Sequence, residues 1–367
     1  MQRKDANTNQ RKIAKFILQK KETSKQEIAS ALELSMPTVL QNVKELVGKG
    51  LVTESGKYDS TGGRKAAVLS VAKNFRTAVG IDITANHVSY VLTDLCGDVI
   101  AKTRIRAPFE NSPAYFDEVA DRLGSFLQES GAAQERVLGV GISLPGIIDE
   151  SGEVLVRSHV LKQDHLSLKP LRQRIPYPVS CENDATGALL AEMHHIDGDP
   201  VYLSLSNSVG GAICLNGKIY EGGHRRSAEF GHMILEEDGK PCYCGKKGCM
   251  DSYCSARVLS RWTNDNLELF FSGLERGNMV CRNAWEEYLE HLAVLITNLR
   301  MAFDCDIMLG GYVGGYLKAY LPQLSKKAVR YNLFESDTLY LRPCTYEKEA
   351  SAIGAAMCFF DRFLNDL

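Results

Sequence analysis

The stretch AVGIDITANHVSYVLTDLCGDVIAKTRI, residues 78–105, reads as two or three β-strands with a turn at Gly97-Asp98. A second stretch, VYLSLSNSVGGAICLNGKIYEG (201–222), repeats the plan around Asn216-Gly217, the strongest short-range hairpin signal. About 120 residues separate the two, and each leads into alternating strand and helix patterns. Between them VLGVGISLPGIID (137–149) has the apolar run of a buried strand, ending in a Pro-Gly loop. The repetition predicts an internal duplication: an α/β chain whose first lobe (76–195) and second lobe (196–367) face each other across a cleft, with the C-terminal helix free to return to the first. Small-molecule sites usually form in such clefts.

With 367 residues, 44% of them hydrophobic and 24% charged, the chain is long enough for more than one domain with sizeable cores. No run of eighteen uncharged apolar residues occurs, and MQRKDANTNQRK has a charged head without an apolar run behind it. A cytoplasmic protein is expected. There, eleven cysteines read as reduced thiols with room for a metal site, not as a disulfide framework. The overall charge of −2 conceals an asymmetry: residues 1–75 carry 14 Lys and Arg against 7 Asp and Glu, whereas the remainder carries 29 against 38. A basic head on an acidic body points to a polyanionic partner for the head.

Three helical patterns precede residue 50. Residues 9–20 place Ile13, Phe16 and Ile17 on one face; Ser24 with Glu27 three positions later opens a second helix with Ile28, Ala31 and Leu32 apolar. Ser35 caps a third, with Pro37 in its first turn and Val39, Val43 and Leu46 as the buried stripe. This order, followed by two short β runs around the polar tip of LVTESGKYDSTGGRKAAVLSV, predicts a winged helix-turn-helix DNA-binding domain and linker over 1–75. Ser35, Thr38, Gln41, Asn42 and Lys44 are the expected contacts in the major groove, and Arg64 and Lys65 at the wing tip the expected phosphate or minor-groove contacts.

The segment GHMILEEDGKPCYCGKKGC (231–249) puts three cysteines in eight positions behind a histidine. Thiolates and imidazole suit a tetrahedral Zn2+, and Gly245 and Gly248 permit the turns that bring Cys242, Cys244 and Cys249 together. His232 or Cys254 completes four ligands. Such a closed site is structural, so Zn2+ is expected as a structural cofactor.

The segments GISLPGIID (141–149), CENDATGALLAE (181–192), GGAICLNGKIYEGGHRRSAEFGHM (210–233) and CYCGKKGC (242–249), in this order, resemble the ROK family of repressors, open reading frames and sugar kinases. The winged head with its TGGRKAAVLSV-like linker is similar to the repressor branch. The resemblance implies an actin-like, ribonuclease-H-like two-lobed sugar-kinase fold and matches the zinc ligands to His232, Cys242, Cys244 and Cys249. It also implies a sugar pocket of Asn183, Asp184, Glu229 and His232, with Asp251 where the family usually has Glu. Asp184 stands where family kinases have their catalytic base. LGGYVGG (309–315), which resembles the family's adenosine-side motif, carries Tyr312 where a small residue is usual, and the phosphate-binding glycine motifs depart: Asp82-Ile83-Thr84-Ala85-Asn86 in the first hairpin and Ser206-Asn207-Ser208-Val209-Gly210 in the second. Side chains at such positions keep the backbone from approaching a phosphate.

The expectation is a non-enzymatic, sugar-responsive repressor of carbohydrate metabolism that binds operator DNA as a homodimer or dimer of dimers, with a sugar or sugar phosphate in the cleft. Arg225 and Arg226 are candidates for a sugar phosphate. Two rivals remain: an ATP-dependent sugar kinase carrying a DNA-binding head, and a repressor controlled by a protein partner.

Overall fold

The computed structural model describes residues 2–57, 67–196 and 198–367. The first elements are α1 (Gln2–Lys20), β1 (Glu22–Thr23), α2 (Lys25–Ala31), α3 (Met36–Gly48), β2 (Val52–Lys57) and β3 (Ala67–Val71). The two predicted caps are present. Ser24 Oγ accepts from the Glu27 N–H at 3.1 Å and Ser35 Oγ from the Thr38 N–H at 3.4 Å, satisfying donors that the first helical turn leaves open. Glu27 does not close the reciprocal box: its carboxylate instead accepts from the Thr23 hydroxyl at 2.8 Å. Ile13, Ile17, Ile28, Val39, Val43 and Leu46 are buried, and the strands form an antiparallel sheet in the order β1-β3-β2. Arg64 and Lys65 lie outside the described residues.

The first α/β unit contains β4 (Thr77–Ile83), β5 (His87–Asp94), β6 (Val99–Arg106), α4 (Pro113–Glu129), β7 (Val137–Leu144), a small sheet of β8 (Ile147–Ile148), β9 (Val154–Ser158) and β10 (Gln163–Ser167), then α5 (Lys169–Arg172), β11 (Val179–Asn183) and α6 (Asp184–Glu192). The second contains β12 (Val201–Leu205), β13 (Val209–Leu215), β14 (Lys218–Ile219), α7 (Asp251–Cys254), α8 (Ala256–Ser260), α9 (Leu267–Glu275), α10 (Met279–Phe303), β15 (Ile307–Gly310), α11 (Gly311–Ala328), β16 (Leu341–Pro343) and finally α12 (Ala350–Asn365). Their five-stranded sheets have the same plan. In the order β11-β7-β4-β5-β6, β4 has an antiparallel hairpin on one side and parallel strands on the other; in β14-β13-β12-β15-β16, β12 occupies the same place. The duplication read from residues 78–105 and 201–222 is thus a duplication of topology. Central β4 is buried along its whole length, which is why its sequence runs apolar instead of alternating. Both predicted turns form: Asp94 Oδ1 takes the N–H groups of Cys96 and Asp98, while Asn216 and Gly217 adopt φ of 54° and 70°, as a two-residue hairpin turn with right-handed strand twist requires.

Helix α12 lies against α6, β4 and β7 of the first unit. The approach to α6 is tight enough to require glycine: a Cβ on Gly354 would sit 1.6 Å from the Gly187 carbonyl oxygen. The far end of α12 enters the core of the N-terminal elements. Phe359, Phe360 and Leu364 belong to one buried cluster with Ile13, Ile17, Ile28, Val43, Leu46 and Leu69. Ion pairs at this junction, such as Lys15 to Asp361 at 3.8 Å, are exposed and contribute little beside that apolar contact. Among the described residues no helix is long and apolar enough to cross a membrane.

Candidate functional site

A cavity of about 660 Å³ opens between the two α/β units. Asn183, Asp184, Glu229 and His232 all line it, together with Pro145 and Gly146. The parallel strand β11 delivers the first two at its C-terminal end, where α6 begins. Asn183 is the N-cap of α6: its Oδ1 accepts from Ala185 and Thr186 N–H groups at 2.9 and 3.1 Å, and its Nδ2 donates to the Gly146 carbonyl at 2.9 Å. One amide hydrogen of Asn183 therefore remains for a ligand. Gly146 holds the Pro-Gly loop at φ 135°, so close to β9 that a Cβ would meet the Arg157 carbonyl at 2.4 Å. Glu229 is open to the cavity but walled by protein, and burial pushes its carboxyl up.

Asp184 is pushed up to about 7, chiefly by burial and then by the charge of Asp82, with Glu229 adding to it. Asp82, on β4, is pushed up to about 6 by burial, against the pull of a 2.9 Å hydrogen bond from Ser143 Oγ and the charge of Arg104. The cleft thus holds carboxyl groups that titrate near neutrality.

Two expectations for the cleft are corrected. Asp251 does not line the cavity: it is 5% exposed, and its Oδ2 accepts from the Val209 N–H at 2.7 Å, bracing the start of β13. The shorter side chain has become a backbone anchor. Arg225 faces the cleft but is committed within the protein, donating to the Ile148 carbonyl at 2.8 Å and pairing with Glu221 at 2.7 Å. It ties the second unit to the first, while Arg226 stays exposed at the cavity wall.

The metal-ligand candidates come together. One ligand atom from each of His232, Cys242, Cys244 and Cys249 lies within 4.8 Å of the others, with Cys249 fully buried. Cys254, the alternative fourth ligand, points into the core of the second unit instead. Burial pushes the Cys242 and Cys249 thiols up, so gathering thiolates here calls for a cation. Burial, with His159 and Lys246 nearby, holds His232 below its ordinary range, in the neutral form that ligates metals. Three sulfurs and one imidazole fit tetrahedral Zn2+ and leave no open position. His232 Nδ1 faces Cys242 Sγ at 3.9 Å, and its Nε2 lies 3.4 Å from the Tyr243 hydroxyl. Tyr243 and His159, absent from the expected site, also line the cavity. An aromatic residue between two candidate ligands was a usable signal for Tyr243; no local signal marked His159.

Across Asp184 a second cavity of about 250 Å³ adjoins the first. It is lined by residues of the departing motifs, several of whose polar groups bond within the chain. Thr84 closes its own hairpin by accepting from the His87 N–H at 3.1 Å. Ser206 Oγ takes the Tyr312 N–H at 3.4 Å, and the Tyr202 hydroxyl takes the Gly311 N–H at 3.2 Å. Tyr312 itself reaches across to Arg104 on β6, which donates to its hydroxyl at 3.4 Å.

In the N-terminal elements Ser35, Gln41 and Lys44 are exposed on α3, with Thr38 partly so and hydrogen-bonded to Ser35 Oγ at 2.8 Å. Asn42 does not belong with them. It is 6% exposed and its Nδ2 donates to the Thr38 carbonyl at 2.8 Å, because its position adjoins the buried stripe of Val39, Val43 and Leu46.

The description "ROK family" matches residues 78–362. A xylose repressor from Caldicellulosiruptor bescii is 27% identical over 325 residues, covering 82% of this chain and 81% of its own. Among solved structures, a ROK family transcriptional regulator homologous to the Escherichia coli MLC protein superposes with a TM-score of 0.74 at 21% identity, covering 98% of this chain and 97% of its own. A ROK hexokinase from Thermus thermophilus gives 0.63 at 25% identity, covering 79% of this chain and all (100%) of its own.

Proposed function

This chain belongs to the ROK family, and we propose that it acts as a cytoplasmic, sugar-responsive transcriptional repressor whose N-terminal elements form a winged helix-turn-helix that binds operator DNA. One observation carries the reading. The helix that joins the core of the head, α12, packs along α6, and α6 begins at Asn183 and Asp184 in the cavity. A ligand that moves α6 therefore acts on the seat of the head.

Helix α3 enters the major groove by its N-terminal face, with Ser35, Thr38, Gln41 and Lys44 as contacts and Asn42 as an internal brace. Arg64 and Lys65 serve the wing. One head reads few base pairs, so the protein works as a homodimer on half-sites roughly 34 Å apart or a multiple of that. Asn183, Asp184, Glu229 and His232 hold the hydroxyl groups of a sugar or sugar phosphate, and a structural Zn2+ on His232, Cys242, Cys244 and Cys249 fixes the loop behind them. The ligand changes DNA affinity only by its preference for one conformation, about 1.4 kcal/mol per tenfold. The protein is not a kinase: side chains stand in both hairpins where family kinases have phosphate-binding glycines, and Tyr312 lines the adjoining cavity where a small residue is usual.

The test uses the zinc-loaded full chain. Duplexes selected from a random library are titrated by fluorescence anisotropy with and without a panel of sugars and their 6-phosphates. Sequence-selective binding that one sugar alters supports the proposal; binding that no sugar alters while a cell-extract protein does would transfer control to a protein partner.

A further inference from the structure

Three aromatic rings meet at one wall of the larger cavity. Tyr243 lies 5.3 Å, centroid to centroid, from His232 and 5.5 Å from His159, and the two imidazoles are 6.0 Å apart. The rings stand edge-on or tilted to one another, at 73°, 55° and 72°. No two are stacked face to face. Tyr243 is 48% exposed although flanked by Cys242 and Cys244, and His159 is exposed as well. The two come from opposite sides of the cleft: His159 follows β9 in the first unit, and Tyr243 sits in the cysteine loop of the second.

Exposed rings in a cleft rich in hydroxyl-binding groups have a specific use. A pyranose whose hydroxyls are all equatorial directs them outward from its rim and presents axial C–H bonds on its faces. The rim suits carboxylates and amides such as Glu229, Asp184 and Asn183; the C–H face suits the negative face of an aromatic ring. An axial hydroxyl would stand between sugar and ring without a partner.

We propose that Tyr243 and His159, one from each α/β unit, meet at this wall as a joint aromatic clamp against one C–H face of an all-equatorial pyranose and so select it. This rests on the sugar-binding reading above. Tyr243 is well placed for the role because its neighbours on both sides belong to the metal-ligand group, which limits the freedom its ring loses on binding. Its hydroxyl faces His232 Nε2, so it also holds the orientation of the imidazole whose other nitrogen faces Cys242.

The experiment measures calorimetric affinities of zinc-loaded full-length protein for D-glucose, D-xylose and N-acetyl-D-glucosamine against the axial epimers D-mannose and D-galactose. Tyr243→Ala, Tyr243→Phe and His159→Ala are compared with the parent, and metal per chain is measured for each by mass spectrometry. The expected result is that the parent prefers an all-equatorial sugar. Tyr243→Ala and His159→Ala each weaken it about 5- to 10-fold and reduce the preference over the epimers, whereas Tyr243→Phe keeps the preference. Metal content stays at that of the parent. If Tyr243→Ala loses metal, His159→Ala, which replaces no candidate ligand, decides. A parent that prefers an axial epimer, or alanine variants that bind as the parent does, overturns the clamp and leaves the sugar-binding reading standing. A parent that binds none of these sugars overturns the clamp, and the same titration repeated with 6-phosphates then tests the sugar reading itself.

Discussion

The two halves of the cleft meet at Asp184 and differ in what their polar groups are doing. On the Glu229 side a space of about 660 Å³ is lined by the Glu229 carboxylate and the remaining amide hydrogen of Asn183. On the Tyr312 side about 250 Å³ remains, and Thr84, Ser206, Tyr202 and Tyr312 satisfy neighbouring groups of the chain. Both halves derive from the same duplicated sheet. Hydrogen-bonding capacity left open belongs to a ligand site, and capacity consumed internally belongs to the scaffold; residue type alone does not distinguish them.

The largest effect should come from the loop behind the open half. Cys249→Ser, or prolonged chelation, is expected to remove bound zinc and destabilise the second unit by about 5 kcal/mol or more, seen as metal content near zero and a much lower Tm. A stable variant with unchanged Tm would show that the open half needs no metal support. Next is the carboxylate where the halves meet. Because the folded protein raises Asp184 from 3.8 to about 7, the native state binds a proton that the unfolded chain has lost, and this group's contribution to stability falls as pH rises between those values. Asp184→Asn should accordingly stabilise the protein more at pH 8 than at pH 5, by a differential of up to about 2.5 kcal/mol read from denaturant unfolding. Equal shifts at the two pH values would place Asp184 in ordinary water.

Glu229→Ala tests the open half directly. Loss of a charged hydrogen-bonding partner should weaken sugar binding by about 1.5–3 kcal/mol, or roughly tenfold to more than a hundredfold by calorimetry, with little change in the stability of the unliganded protein. The smallest effect is expected from the filled half: Arg104→Ala should lower stability by only about 0.5–1 kcal/mol and confer no ATP consumption with any sugar. Sugar-dependent ATP turnover in that variant would reverse the contrast between the halves.

Much of the fold was legible because it rests on contacts between near neighbours in sequence. Ser24 and Ser35 cap helices three residues on, Asn216-Gly217 can turn a hairpin without strain, and the repeated β pattern marks the duplicated sheets. The cysteine loop was legible for the same reason: three of its four ligand candidates lie within eight residues. Asn42 was misread although its distance of three residues from Val39 places it beside the buried stripe, so closer attention to helical spacing would have corrected it.

By itself, the sequence determined many of the elements, the duplication, the charge of the head and a set of candidate metal and sugar ligands. Tertiary packing decided which of them face the cavity. It turned Asp251 toward the Val209 amide and Arg225 toward Ile148, brought His159 to Tyr243, closed Tyr312 onto Arg104, and joined the head to the cleft through α12. The reason is physical: a cap or a turn is fixed by dihedral angles and neighbours a few residues away. The partner of a polar side chain is instead chosen by the relative placement of elements tens to hundreds of residues apart, which only the packed cores establish.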